Sequence, residues 1–209
     1  MEFMNDVLID LAGSPWVYLV AVLVCIIDGF FPPVPSESVI VALGALALST
    51  GEVHLAGLLA VAATGAFVGD NIAYLVGRTI RAERVGWMRR PRVVAASGWA
   101  RARLESHGAF VIFTARYIPV GRVAVNMTAG ATGYPWRRFA AIDAAAAVTW
   151  ALYSVFIGVA VGHVLGDQPL LAVIVAVVLA AVLGLAVDTT LRTIARGRAA
   201  RVTDRSGIT

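Results

Sequence analysis

Residues 108–136 read GAFVIFTARYIPVGRVAVNMTAGATGYPW, and whether this stretch crosses a bilayer or turns back within it decides the fold. It is apolar enough to enter hydrocarbon. Yet it holds Arg116, Pro119, Gly121 and Arg122 where a plain transmembrane helix carries neither charge nor helix breakers. The flanks decide the matter. Eight arginines lie between Arg78 and Arg103 upstream, and Arg137 and Arg138 follow directly downstream. A single crossing would put these clusters on opposite faces, against the tendency of basic loops to stay cytoplasmic. Two crossings would need roughly 20 residues each, more than the stretch contains. It therefore reads as a re-entrant hairpin that enters from the cytoplasmic side and returns to it.

The chain around it is a membrane chain. Of its 209 residues, 59% are hydrophobic and 14% charged, against about 45–50% and 25% in soluble proteins. So little charge cannot cover a soluble core, which excludes a soluble enzyme domain and a disordered chain. The single cysteine, Cys25, sits in an apolar run and excludes a disulfide scaffold. All 17 basic residues are arginine, and the net charge is +4. Clustered beside long apolar segments, they read as the positive-inside signal and as contacts to anionic headgroups, so no nucleic-acid partner is expected. The opening MEFMNDVLID has acids where a cleavable signal would be cationic, which predicts that the first apolar segment is retained as an anchor.

Segments 55–77, 139–163 and 169–191 are long enough to span, and Pro15 to Ile27 joins them if its helix begins near Asp6. Residues 28–50, DGFFPPVPSESVIVALGALALST, repeat the design of 108–136: a Pro/Gly-broken entry followed by an apolar helix. No arginine flanks them, so charge says nothing of their side. Matching span, hairpin and span gives a first half-repeat over 6–77 with its hairpin at 28–50, and a second over 108–191 with its hairpin at 108–136. The fold expected is thus a single all-α membrane domain over 1–209, with about four transmembrane helices and two opposed re-entrant hairpins in an inverted repeat. Transporters of that design hold substrate at mid-membrane between broken helices. Region 78–107, basic with Trp87 and Trp99, is expected to lie in the interface. Residues 192–209 form a basic tail, and both termini are expected in the cytoplasm.

Ionisable residues at membrane depth are costly and mark function. Asp28, then the prolines Pro32, Pro33 and Pro35, then Ser36 and Glu37, place two carboxylates across a break. Glu37 is expected in the first turn of a new helix with Ser36 at or near its cap. Carboxylates that close could together hold or release a proton. The plainer alternative leaves Glu37 a helix cap and Asp28 in the headgroup layer. Arg116 and Arg122 would diverge on one unbroken helix, but a break at Pro119 and Gly121 lets both face one cavity. Their permanent charges need anions, either the acids or an incoming substrate whose phosphate the guanidinium fork matches. Here the alternative is an internal ion pair that locks the hairpins together. Asp70 and Asp143 are expected to face the bundle interior, as ion- or proton-coupling groups or as structural partners. Asn126, Thr128 and Gly130 are placed on the returning arm, with glycine permitting close approach. Asp188, near Arg192, reads as a surface pair. His54, His107 and His163 fall at segment ends, so no metal is assigned, and no cofactor is expected.

FFPPVPSE with Asp28 before it, GDNIAYLVGR, ARYIPVGRVAVNMTAG and YPWRRFAAIDAAAAVTW together resemble the DedA family of the SNARE-associated, or VTT-domain, superfamily. The resemblance covers roughly residues 20–165. It implies opposed re-entrant helices and a non-enzymatic role in lipid translocation at the cytoplasmic (inner) membrane. The implied substrate is undecaprenyl phosphate or a related polyprenyl phosphate, with H⁺ or Na⁺ as coupling ion. It also implies essential acids at Asp28 and Glu37 and essential arginines at Arg116 and Arg122. Asp28 stands where many members have glutamate, and Asp143 where many have asparagine. Rival readings are a proton-coupled small-ion or drug antiporter, a general phospholipid scramblase and, least favoured, a lipid phosphatase. Neither HExxH nor GxSxG occurs, and neither hairpin holds a histidine. A homodimer is left open.

Overall fold

The structure is a computed structural model that describes residues 13–31, 34–79, 91–117 and 119–164, with isolated helical positions between 171 and 182. Pro32, Pro33, residues 80–90, most of the span expected at 169–191 and the tail at 192–209 lie outside the described residues. The chain forms α1 (Trp16–Phe30), α2 (Ser36–Thr50), α3 (Leu55–Thr79), α4 (Pro91–Ala115), α5 (Pro119–Ala131) and α6 (Trp136–Val164), with no strand among the described residues. Helices α3 and α6, with 25 and 29 residues, are long and apolar enough to cross a membrane. Helices α1 and α2 have 15 residues each. That is about 22 Å, short of the roughly 30 Å of a bilayer core.

The breaks fall elsewhere than the sequence reading placed them. Helix α1 continues through Asp28, Gly29 and Phe30, so the first helix–break–helix unit is α1 and α2 together rather than 28–50. The helix stops where proline forbids it. Phe31, the residue before Pro32, has φ −126 and ψ 90, the extended backbone that a following proline imposes. Ser36 does not cap α2: Pro35 occupies that position without a side-chain bond, and the Ser36 hydroxyl donates to Asp28 instead. In the second unit, α4 kinks at His107 (φ −139, ψ 30). Its arm from Gly108 to Ala115 then meets a turn at Arg116 and Tyr117 before α5 starts on Pro119. Proline is favoured there because its missing N–H has no intrahelical partner at that position. Gly121 lies inside α5, so it does not make the break.

Each unit returns to the end of the bundle where it began. Next to the start of α1, Tyr18 Oη accepts a hydrogen bond from the His54 N–H beyond α2 at 2.7 Å. At the start of the other unit, Gly108 abuts the Tyr134 ring beyond α5. The returning helices pack across the molecule, α2 on α6 and α5 on α3, while α1 also lies on α3. Glycine makes all three crossings close. A Cβ on Gly69 would strike the Ile26 carbonyl of α1, one on Gly158 the Val41 carbonyl of α2, and one on Gly130 the Tyr74 carbonyl of α3. The sequence reading singled out Gly130 for close approach and drew nothing from Gly69 or Gly158. Yet Gly65 with Gly69, and Gly158 with Gly162, have the four-residue spacing that lets membrane helices approach. The interior is built of small side chains such as Ala21, Ala62, Ala147 and Ala151, whereas Trp16, Leu23, Phe110 and Phe156 are exposed. An apolar exterior around a small-residue interior suits a bundle solvated by lipid.

Candidate functional site

The four elements that meet between the breaks each bring charge inward. Asp28 comes from the end of α1, Asp70 from α3, Asp143 from α6, and Arg116 and Arg122 from the second break and the start of α5. All five are buried, Asp70 completely. Arg116 Nη1 donates to Asp70 Oδ2 and also reaches Asp143 Oδ1 at 3.3 Å. Arg122 Nη2 donates to the Asp28 main-chain carbonyl at 2.7 Å and pairs with its carboxylate at 3.1 Å. Arg122 Nε lies 3.4 Å from Asp70 Oδ1, so Asp70 bridges the two guanidiniums. The last turn of α1 and the first turn of α5 thus touch directly, though 94 residues separate Asp28 from Arg122.

The arginines converge, but the anions beside them differ from those the sequence favoured. Asp28 does partner Arg122, whereas Arg116 is held by Asp70 and Asp143. Glu37 stands in the first turn of α2, half-buried. It makes no ion pair among the described residues and accepts a hydrogen bond from Tyr153 Oη of α6 at 2.7 Å. The two carboxylates across the first break therefore have separate partners. Asn126 is buried on α5 with Nδ2 unpartnered, and Gly130 marks the crossing with α3.

Several contributors were missed from sequence. Asn71 Nδ2 donates to Asp143 Oδ2 at 3.2 Å, and Asn71 Oδ1 accepts from the Trp136 indole at 2.9 Å. The guanidinium of Arg116 sits over the Trp150 ring, 5.4 Å from its centroid, a cation–π arrangement. A signal was present: Asn71 follows Asp70 in an apolar span, and Trp136, Asp143 and Trp150 recur every seven residues, one face of a helix.

Buried arginine keeps its charge, so its donors need acceptors. Among the described residues, Arg116 Nε and Nη2 have no acceptor, and Arg122 Nε has only the long approach to Asp70. Nε and Nη2 of Arg116 form the side-on fork that binds a carboxylate or phosphate bidentately. An anion with several acceptor oxygens would satisfy it.

A family profile described as the VTT domain matches residues 34–160, a span that holds Glu37, Asp70, Arg116, Arg122 and Asp143 but begins after Asp28. A protein of Lactococcus lactis subsp. cremoris (strain MG1363) named alkaline phosphatase-like protein is 27% identical over 170 residues, 76% of this chain and 77% of that one. Undecaprenyl phosphate transporter A of Bacillus subtilis (strain 168) is 24% identical over 135 residues, 62% of this chain and 66% of the relative. Protein DedA of Escherichia coli (strain K12) is 27% identical over 149 residues, 68% of each. No solved structure matches the chain. With the profile covering more than half of its length, the chain is a membrane protein of the VTT-domain family, to which DedA belongs.

Proposed function

We propose that this protein carries a polyprenyl phosphate of the undecaprenyl type across the cytoplasmic membrane, driven by H⁺ or Na⁺. The unpartnered Nε–Nη2 fork of Arg116, buried beside Arg122, is the observation that carries this reading. The relative named undecaprenyl phosphate transporter A supports the substrate class. The α1–α2 unit and the unit from Gly108 to Ala131 enter the bilayer from opposite leaflets, with Ser14 and the start of α1 outside and the arginine-rich segments and the C-terminus in the cytoplasm.

Charge arithmetic supplies the coupling. Arg116 and Arg122 contribute +2 and Asp28, Asp70 and Asp143 contribute −3 when all are ionised, which leaves −1. A cluster of negative sum repels a phosphate. Proton or cation uptake by the aspartates makes it neutral or positive and loosens their hold on the guanidiniums, so the phosphate can enter. Loss of the ion restores the internal pairs and expels the headgroup. In this reading half-buried Glu37, which accepts a hydrogen bond from Tyr153, passes the ion to and from the cluster. The isoprenoid tail stays in lipid throughout, so only the headgroup needs a polar path.

The test is transbilayer movement of polyprenyl phosphate in proteoliposomes, with a pH gradient or a Na⁺ gradient imposed. Movement of polyprenyl phosphate but not of the matching polyprenol, faster with the gradient, is expected. Ion flux with no lipid movement would favour an antiporter instead, and release of inorganic phosphate would favour an enzyme.

A further inference from the structure

A second polar feature lies at the end of the bundle where α3 stops and α6 starts. Helix α5 closes there in a Schellman turn: Tyr134 N–H donates to the Ala129 carbonyl at 2.9 Å, and Gly133 N–H to Gly130 at 3.1 Å. Gly133 takes the left-handed φ of +73 that such a turn requires. Tyr74 Oη of α3 donates to the Tyr134 carbonyl at 2.5 Å and fixes the turn against the bundle. Between this turn and α3 is a cleft of about 360 Å³ lined by Arg78, Gly130, Tyr134, Pro135 and Trp136 among others. Arg78 has no ion-pair or hydrogen-bond partner among the described residues, and Trp136 is 47% exposed. An unpaired guanidinium and an amphipathic indole at the end of two membrane-length helices match a lipid phosphate at the headgroup level.

The cleft is also wired to the buried cluster. Trp136, on its wall, donates to Asn71, which donates to Asp143, which accepts from Arg116. Arg78 is eight positions from Asp70 on α3, and Trp136 seven from Asp143 on α6. The cluster therefore lies about 10–12 Å below the cleft along both helices.

We propose that this cleft is a holding site for the phosphate of an anionic lipid headgroup, distinct from the buried arginine–aspartate cluster. It rests on the transport reading only in being the place where such a lipid would wait, and headgroup binding is measurable without transport.

The experiment uses the full chain in phosphatidylcholine vesicles doped with phosphatidic acid that carries a diazirine near its phosphate. Diacylglycerol with the same diazirine is the phosphate-free control. After illumination, labelled peptides are mapped by mass spectrometry. Labelling of residues 130–138 by the phosphatidic acid probe and not by the control is expected. Arg78→Gln should lower it about fivefold, the scale of one arginine acting on an anionic headgroup. Arg78→Lys should restore most of it. Equal labelling by both probes, or undiminished labelling in Arg78→Gln, overturns the site. So does loss of label on adding millimolar inorganic phosphate, because the cleft would then be a site for free anions. A wild type that labels here yet moves no polyprenyl phosphate would defeat the transport reading and leave the holding site standing.

Discussion

Asp70 and Asp143 look equivalent in sequence, as lone acids inside apolar spans. The structure separates them. Asp70 contacts both guanidiniums and is fully buried, whereas Asp143 reaches only Arg116, at 3.3 Å, and is also bonded by Asn71. Asp70→Asn takes a counter-charge from both buried guanidiniums at once, and each lost charge-assisted hydrogen bond costs about 1.5–3 kcal/mol. Asp70→Asn should therefore lower the thermal midpoint in detergent more than Asp143→Asn, which keeps a shape that Asn71 can still bond. The reverse order would mean that Asp70 does not bridge the arginines. At this scale the sequence showed which residues were out of place in hydrocarbon, because a charge there needs a reason. It could not show the pairing of Arg116 with Asp70, which depends on how the turn at Arg116 sits against α3, 46 positions away in sequence.

The helices tell a similar story of legible chemistry and illegible geometry. Proline placed the breaks within a few residues, since it can neither donate nor continue a helix. The exact stop was harder: Asp28 and Gly29 looked like part of the break and are helical, because nothing before Phe31 interferes with the backbone. Gly121 looked like a breaker and lies inside α5, where Pro119 had already provided the discontinuity. Gly130 was read as a close-approach position, but glycines at 65, 69, 158 and 162 passed as composition, and they too set the helix spacing. Gly130→Ala would bring a Cβ within 2.8 Å of the Arg78 nitrogen and closer still to the Tyr74 carbonyl. Forcing α5 off α3 should cost about 1–3 kcal/mol, read as a lower thermal midpoint. Gly57→Ala, whose Cβ would first meet the Tyr18 ring at 3.3 Å, should be nearly neutral. Equal midpoints for the two variants would rule out the tight α3–α5 crossing.

For the whole molecule, the charge parity of the arginine clusters is the signal that bears on topology, because it constrains the side of each loop without knowledge of any contact. The structure adds that both helix–break–helix units fold back on themselves and that the last turn of α1 touches the first turn of α5. Entry of the two units from opposite leaflets can be tested in a Cys25→Ser background with single cysteines at Ser14, Glu52 and Arg137. In sealed right-side-out vesicles a membrane-impermeant maleimide should react with the first two and spare the third until the membrane is opened. Reaction at Ser14 and Glu52 from different sides would make one arm a through-going helix and separate the two breaks.

The most direct measurement compares initial rates of polyprenyl phosphate movement in proteoliposomes for the wild type and Arg116→Lys, at equal protein and under the same gradient. Lysine keeps the charge that balances Asp70 and Asp143 but cannot offer two parallel donors. If the Nε–Nη2 fork of Arg116 receives the phosphate, the rate should fall about 10- to 100-fold, the scale of a lost charge-assisted hydrogen bond, with little change in thermal midpoint. A rate equal to wild type would show that Arg116 serves only to balance the aspartates and that the phosphate is bound elsewhere.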